Sequence, residues 1–100
     1  MDFSLLRNKV YLYLLAFCDG KKMPSYVELG NCLGITRQTA STKVKELVND
    51  ELVFIDSGII SVKNILNIEK KDLINYLENN KDFDPIELKT VLFGNALVAP

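Results

Sequence analysis

Residues 26 to 53 read YVELGNCLGITRQTASTKVKELVNDELV, and this stretch decides the fold. Ser25 stands just before it, where a hydroxyl can accept from a free backbone N–H at a helix start. Leu29 and Leu33 follow at helical spacing, and Gly34 then breaks the segment at a position that tolerates positive φ. Thr36 offers a second N-cap. Behind it Ala40, Val44 and Leu47 fall on one side of a helix that extends to about Asp50. Two short helices joined by a tight turn are predicted, with Leu29, Leu33, Ile35, Ala40, Val44 and Leu47 wedged between them.

On the C-terminal side, Leu52 to Val62 alternates around Asp56-Ser57-Gly58, a turn tripeptide between two β-branched, apolar runs. That is the pattern of a two-stranded hairpin. Asn67 to Asn80 is predicted as an amphipathic helix with Leu73, Ile74 and Leu77 inside. Asp84-Pro85-Ile86-Glu87 combines a capping box with proline at the first helical position, so a last helix is expected there, presenting Leu88, Val91, Leu92 and Leu97. On the N-terminal side a helix is predicted from Phe3 to Cys18, with Asp2 as cap and Asp19-Gly20 as stop. Its apolar content exceeds the roughly 100° stripe that one face needs, so the C-terminal helices or a second copy of the chain must cover the remainder. Lys21-Lys22-Met23-Pro24 reads as a loop.

One hundred residues, 48% hydrophobic and 25% charged, suit one globular domain with a single core. The longest apolar run, Val10 to Cys18, is less than half of the roughly 20 residues a membrane span requires. No basic n-region with a cleavage site follows Met1, so the cytoplasm is the expected location. Cys18 and Cys32 lack zinc-ligand spacing and no histidine is present, so no metal or cofactor is expected and both thiols are predicted buried and reduced. Without histidine, a glycine-rich phosphate loop or a convincing carboxylate pair, no catalytic constellation can be assembled, and an enzyme is not expected. The formal charge of −1 gives no global attraction to nucleic acid, but its distribution is uneven. Residues 21–63 carry six basic and five acidic side chains, whereas residues 64–100 carry four and six.

The order helix, helix, helix, hairpin, helix, helix, with LGITRQTASTKVKEL at its centre, resembles the winged helix-turn-helix family of DNA-binding proteins, and most nearly its small bacterial regulators. The likeness covers about residues 3–64. It implies a mainly α fold with a small β-hairpin: a winged helix-turn-helix over residues 1–64, a recognition helix over 36–50 and a wing over 53–63. Residues 65–100 would add two helices that serve packing or dimerisation. In such a fold Gly30 permits the close crossing of the recognition helix, and Gly34 occupies the turn.

The predicted third helix can be laid out at about 100° per residue, with Arg37 at zero. Ser41 then falls near 40°, Lys45 near 80°, Gln38 near 100° and Thr42 near 140°, whereas Ala40, Val44 and Leu47 lie between about 280° and 340°. The polar side suits duplex DNA. Arg37 matches guanine O6/N7 or a phosphate, Gln38 matches adenine N6/N7, and Thr42 matches a thymine methyl or a phosphate. Ser41 lets the backbone approach, and Lys45 neutralises phosphate at the groove edge. Thr36 and Thr39, at the helix start, suit a phosphate. In the wing Asp56 disfavours phosphate, so either the hairpin stays clear of the backbone or its tip enters a groove through Ser57 and backbone amides. Lys63 and Asn64 are expected at the backbone or minor groove, and Lys21 and Lys22 at the backbone. Lys43, near 240°, is expected to pack its stem and release its ammonium to solvent.

The expected partners are double-stranded DNA and a second copy of the chain, joined through the first helix and the residues from Asn67 onward; no membrane or small-molecule ligand is indicated. Transcriptional regulation is the function the resemblance implies first. A plasmid accessory factor, marking an origin of replication or conjugative transfer, is the alternative. A winged helix that docks on other proteins is a reading from a different class.

Overall fold

The computed structural model describes residues 2–79. Within them the chain forms α1 (Leu6–Phe17), α2 (Tyr26–Leu33), α3 (Arg37–Asn49), a hairpin of β1 (Val53–Asp56) and β2 (Ile59–Val62), and α4 (Lys70–Asn79). The architecture is mainly helical with a small antiparallel sheet. Among the described residues no helix is long and apolar enough to cross a membrane. The helix expected from Asp84 lies outside them.

The two central helices form where the sequence places them. Ser25 Oγ accepts from Glu28 N at 3.1 Å, and Thr36 Oγ1 accepts from Thr39 N at 3.1 Å. Each hydroxyl thereby satisfies one free donor of a first helical turn. Gly34 closes α2 in the left-handed region, at φ 69°. The carbonyl of Gly30 accepts both Gly34 N and Ile35 N, which folds the turn back over the helix. A Cβ on Gly30 would stand 2.6 Å from Ile35 O, so the close approach is made by the turn that leads into α3. Leu29, Ala40, Val44 and Leu47 are buried between the helices, and Leu33 and Ile35 pack against that core.

Helix α3 ends without glycine. Asp50 caps it, Glu51 takes φ 61°, and bonds from Glu51 N to Val48 O and Leu52 N to Leu47 O satisfy the last carbonyls. Chain direction reverses there and β1 begins at once. In the hairpin Asp56 pairs with Ile59, leaving Ser57 and Gly58 as a two-residue turn with φ 52° and 79°. Positive φ at both positions is the type I′ turn, whose twist matches that of the strands. Val53, Ile60 and Val62 face the core.

One expectation is refined and two need correction. Residues 21–24 form a loop, but one tethered to the sheet edge, which the sequence did not announce. Lys22 bridges Ile59 in antiparallel sense, Ile60 N donates to Lys21 O at 2.9 Å, and Met23 N donates to Gly58 O at 2.8 Å. Backbone groups on the outer edge of β2 thus find partners instead of water. Helix α1 begins at Leu6, not Phe3, because Asp2 folds the preceding turn: its Oδ1 accepts from Ser4 N and Ser4 Oγ. Helix α4 begins at Lys70, not Asn67. Asn64 draws the intervening residues into a local loop, accepting from Ile68 N and donating to Ile68 O, and Asn67 sits at φ 53°.

Helix α1 is the centre of the core. Val10, Tyr11, Leu12, Leu14 and Leu15 are buried, and α3, α4 and β2 pack around them. Its surplus apolar surface is therefore covered in part by α4, through Leu73 and Tyr76 together with half-buried Ile74 and Leu77. Polar ties fix these pieces. Tyr11 donates its hydroxyl to Lys63 O and accepts from Ile65 N. Asp19 accepts from Val62 N at 2.8 Å and from the Lys70 ammonium, joining the end of α1 to β2 and α4. Arg7 pairs with Asp50 at the end of α3.

Candidate nucleic-acid interface

The face of α3 that turns away from its buried Ala40–Val44–Leu47 stripe carries the residues singled out in the sequence. Arg37, Gln38, Thr42 and Lys45 are exposed, and Ser41 is half-buried. Arg37, Gln38, Ser41 and Lys45 line one open depression of about 620 Å³, together with Thr36 and Tyr26. Neither Arg37 nor Lys45 joins an ion pair among the described residues. Two cations, an amide and a hydroxyl thus converge, with no anion among the described residues paired to them. Lys43 lies outside this group. It is half-buried and its ammonium meets Glu46 at 3.2 Å, one turn along the same helix.

Several hydroxyls have local work. Thr36 accepts from Thr39 N and donates to Thr39 Oγ1 at 2.8 Å, so the phosphate contact expected of this pair competes with the helix cap. Thr42 donates to Gln38 O at 3.0 Å, which uses its one O–H and leaves its methyl and its acceptor lone pairs uncommitted. Neither Thr39 nor Thr42 lines the depression.

The hairpin residues do not join it either. Ser57 is at the tip of the turn, exposed and 3.4 Å from Asp56 Oδ1. Lys63 stands at the base of the hairpin, where its N–H donates to Leu52 O, and the depression does not include it. Asn64 is spent on Ile68. Residues 51–62 contain Glu51 and Asp56 and no basic residue, while Phe54, Ile55 and Ile59 are 49%, 42% and 45% exposed.

Tyr26 is a lining residue that periodicity alone passed over. As the first residue after the Ser25 cap it stands at the start of α2, and the turn at Gly34 brings that end beside the start of α3. A second correction concerns the thiols. Cys18 is buried, and burial pushes its pKa up, but Cys32 is exposed because α2 turns Leu29 and Gly30 inward. Both are free. Among the described residues no group of three or more acidic or thiol ligands gathers into a metal site.

No protein-family model matches the chain, and neither the curated proteins nor the solved structures contain a match.

Proposed function

We propose that the chain is a winged helix-turn-helix protein that binds double-stranded DNA sequence-specifically, with α3 in the major groove. The observation that carries this reading is the convergence of Arg37, Gln38, Ser41 and Lys45 on one solvent-open depression, with no ion pair to Arg37 or Lys45 among the described residues. A guanidinium and an amide one residue apart supply the donors and acceptor that read guanine and adenine edges. Lys45, two turns further along, supplies charge for a phosphate, and Tyr26 a hydroxyl. Thr36, Thr39, Thr42, Ser57 and Lys63 form the outer ring of this assignment, contacting backbone where their local bonds permit. The pairing of residues 21–23 with β2 and the type I′ turn support a hairpin that acts as the wing.

The biological use is transcriptional regulation, or origin marking in plasmid replication or transfer. One recognition helix makes few base contacts, so a useful specificity ratio needs two copies. The half-buried Tyr13 and Phe17 line a shallow cavity with Leu33 and Leu77, and this side of α1 and α4 is the proposed contact between copies. A different reading, docking on another protein, is favoured by one observation: the hairpin exposes Phe54, Ile55 and Ile59 beside an acid. Selection of bound fragments from random duplex DNA separates the two. The DNA reading predicts a shared, two-fold related motif among recovered fragments; recovery of unrelated sequences at background yield would favour protein docking.

A further inference from the structure

A hairpin beside a recognition helix can add to DNA binding by meeting the phosphate backbone. This hairpin has two acids and no base between residues 51 and 62. The neighbouring segment supplies what it lacks. The bridge between Lys22 and Ile59, flanked by bonds from Ile60 N to Lys21 O and Met23 N to Gly58 O, makes Lys22 the direct cross-strand neighbour of Ile59. Directly opposed residues project to the same face of a sheet, and successive residues to opposite faces. Lys22, Ile59 and Asp56 therefore stand in one row across the outward face, next to the Ser57–Gly58 tip. Lys21 is opposite buried Ile60 and belongs to the other face.

Lys22 also lines a second open depression, of about 480 Å³, with Pro24, Ser25 and Glu28. Ser25 precedes Tyr26, so the two depressions adjoin at the start of α2. Arg37 and Lys45 line the depression on the α3 side of the start of α2, and Lys22 lines the one on the hairpin side. Resting on the DNA-binding reading above, we propose that Lys22, from the segment before α2, is the phosphate contact beside the hairpin tip, apart from Lys63 at the hairpin base. Lys21 is not. The adjacent lysine pair, equivalent in the sequence, is split by the pleat into one ligand and one bystander. Glu28 lines the same depression as Lys22, and Asp56 stands one strand further along the row, beyond Ile59.

The test is the salt dependence of binding to a duplex recovered by selection, for the full chain and for Lys22→Ala, Lys22→Arg and Lys21→Ala. Each phosphate neutralised steepens the dependence of log K on log salt by about 0.9. Lys22→Ala is expected to make the slope shallower by about one and to weaken every duplex by the same factor. Lys22→Arg should restore the slope, and Lys21→Ala should leave it unchanged. Thermal midpoints equal to wild type would show that no variant acts through folding, and a misfolded Lys22→Ala is replaced by Lys22→Gln. If wild type binds with a steep slope and both lysine variants keep it, or both reduce it equally, the assignment to Lys22 is overturned while DNA binding stands. If wild type binds no duplex at any salt, the underlying reading fails instead.

Discussion

Gly30 and Glu51 are the two residues whose backbones decide how α3 is held. A side chain on Gly30 meets the carbonyl of Ile35 at 2.6 Å, and a carbonyl in a tight turn cannot retreat as a flexible side chain would. Gly30→Ala is expected to cost about 1–3 kcal/mol, read as a lower urea midpoint at constant m-value. Glu51 is the reverse case. It adopts φ 61° where glycine is at ease, and it places an acid at the negative end of a helix dipole. Glu51→Gly is expected to stabilise the protein by roughly 0.5–1 kcal/mol, visible as a raised midpoint in the same titration. The first of these sites was legible through the resemblance, which calls for a small residue there, but the group that comes close is the Ile35 carbonyl of the turn and not a crossing α3. The second was not. Nothing in Asn49-Asp50-Glu51 announces a left-handed residue, and only the bonds from Glu51 N and Leu52 N reveal it.

At the level of elements, local chemistry predicted what local chemistry controls. Ser25, Gly34, Thr36 and the Ser57–Gly58 turn set the ends of α2, the start of α3 and the register of the hairpin within the chain's nearest neighbours. The misplaced pieces depend on distant partners. The segment 21–23 becomes strand-like because β2 has an open edge, and residues 64–68 are looped by Asn64 and pinned by Tyr11, more than 50 residues away in sequence. Asp19 likewise looks like a helix stop until its carboxylate is seen between Val62 N and the Lys70 ammonium. Burial raises the pKa of that carboxyl, but the Lys70 and Val62 contacts outweigh burial and leave it below the ordinary value. A depressed folded pKa means stability that is present above the unfolded value, about 3.9, and lost as pH falls through the folded one. The midpoint difference between wild type and Asp19→Asn should therefore be full at pH 6 and shrink below about pH 4. A pH-independent difference would show that the charge of Asp19 contributes nothing to holding α4.

For the molecule as a whole, the polar face of α3 was legible because an amphipathic helix separates its two sides by arithmetic, and α3 buries Ala40, Val44 and Leu47 as that arithmetic requires. What sequence could not supply was the grouping. Arg37, Gln38, Ser41 and Lys45 share a depression with Tyr26, from another helix, while Ser57 and Lys63 lie elsewhere on the hairpin. The proposed assembly is testable apart from DNA: sedimentation at micromolar concentration should give twice the mass of one chain, and a monomer well above that range would remove the two-copy arrangement. The face itself is tested by titrating one selected duplex and a scrambled duplex with wild type, Arg37→Ala and Lys45→Ala at fixed salt. Arg37→Ala is expected to lose about 1–3 kcal/mol of discrimination between the duplexes, and Lys45→Ala to weaken both alike. If both variants keep wild-type affinity for the two duplexes, α3 does not present this face to DNA.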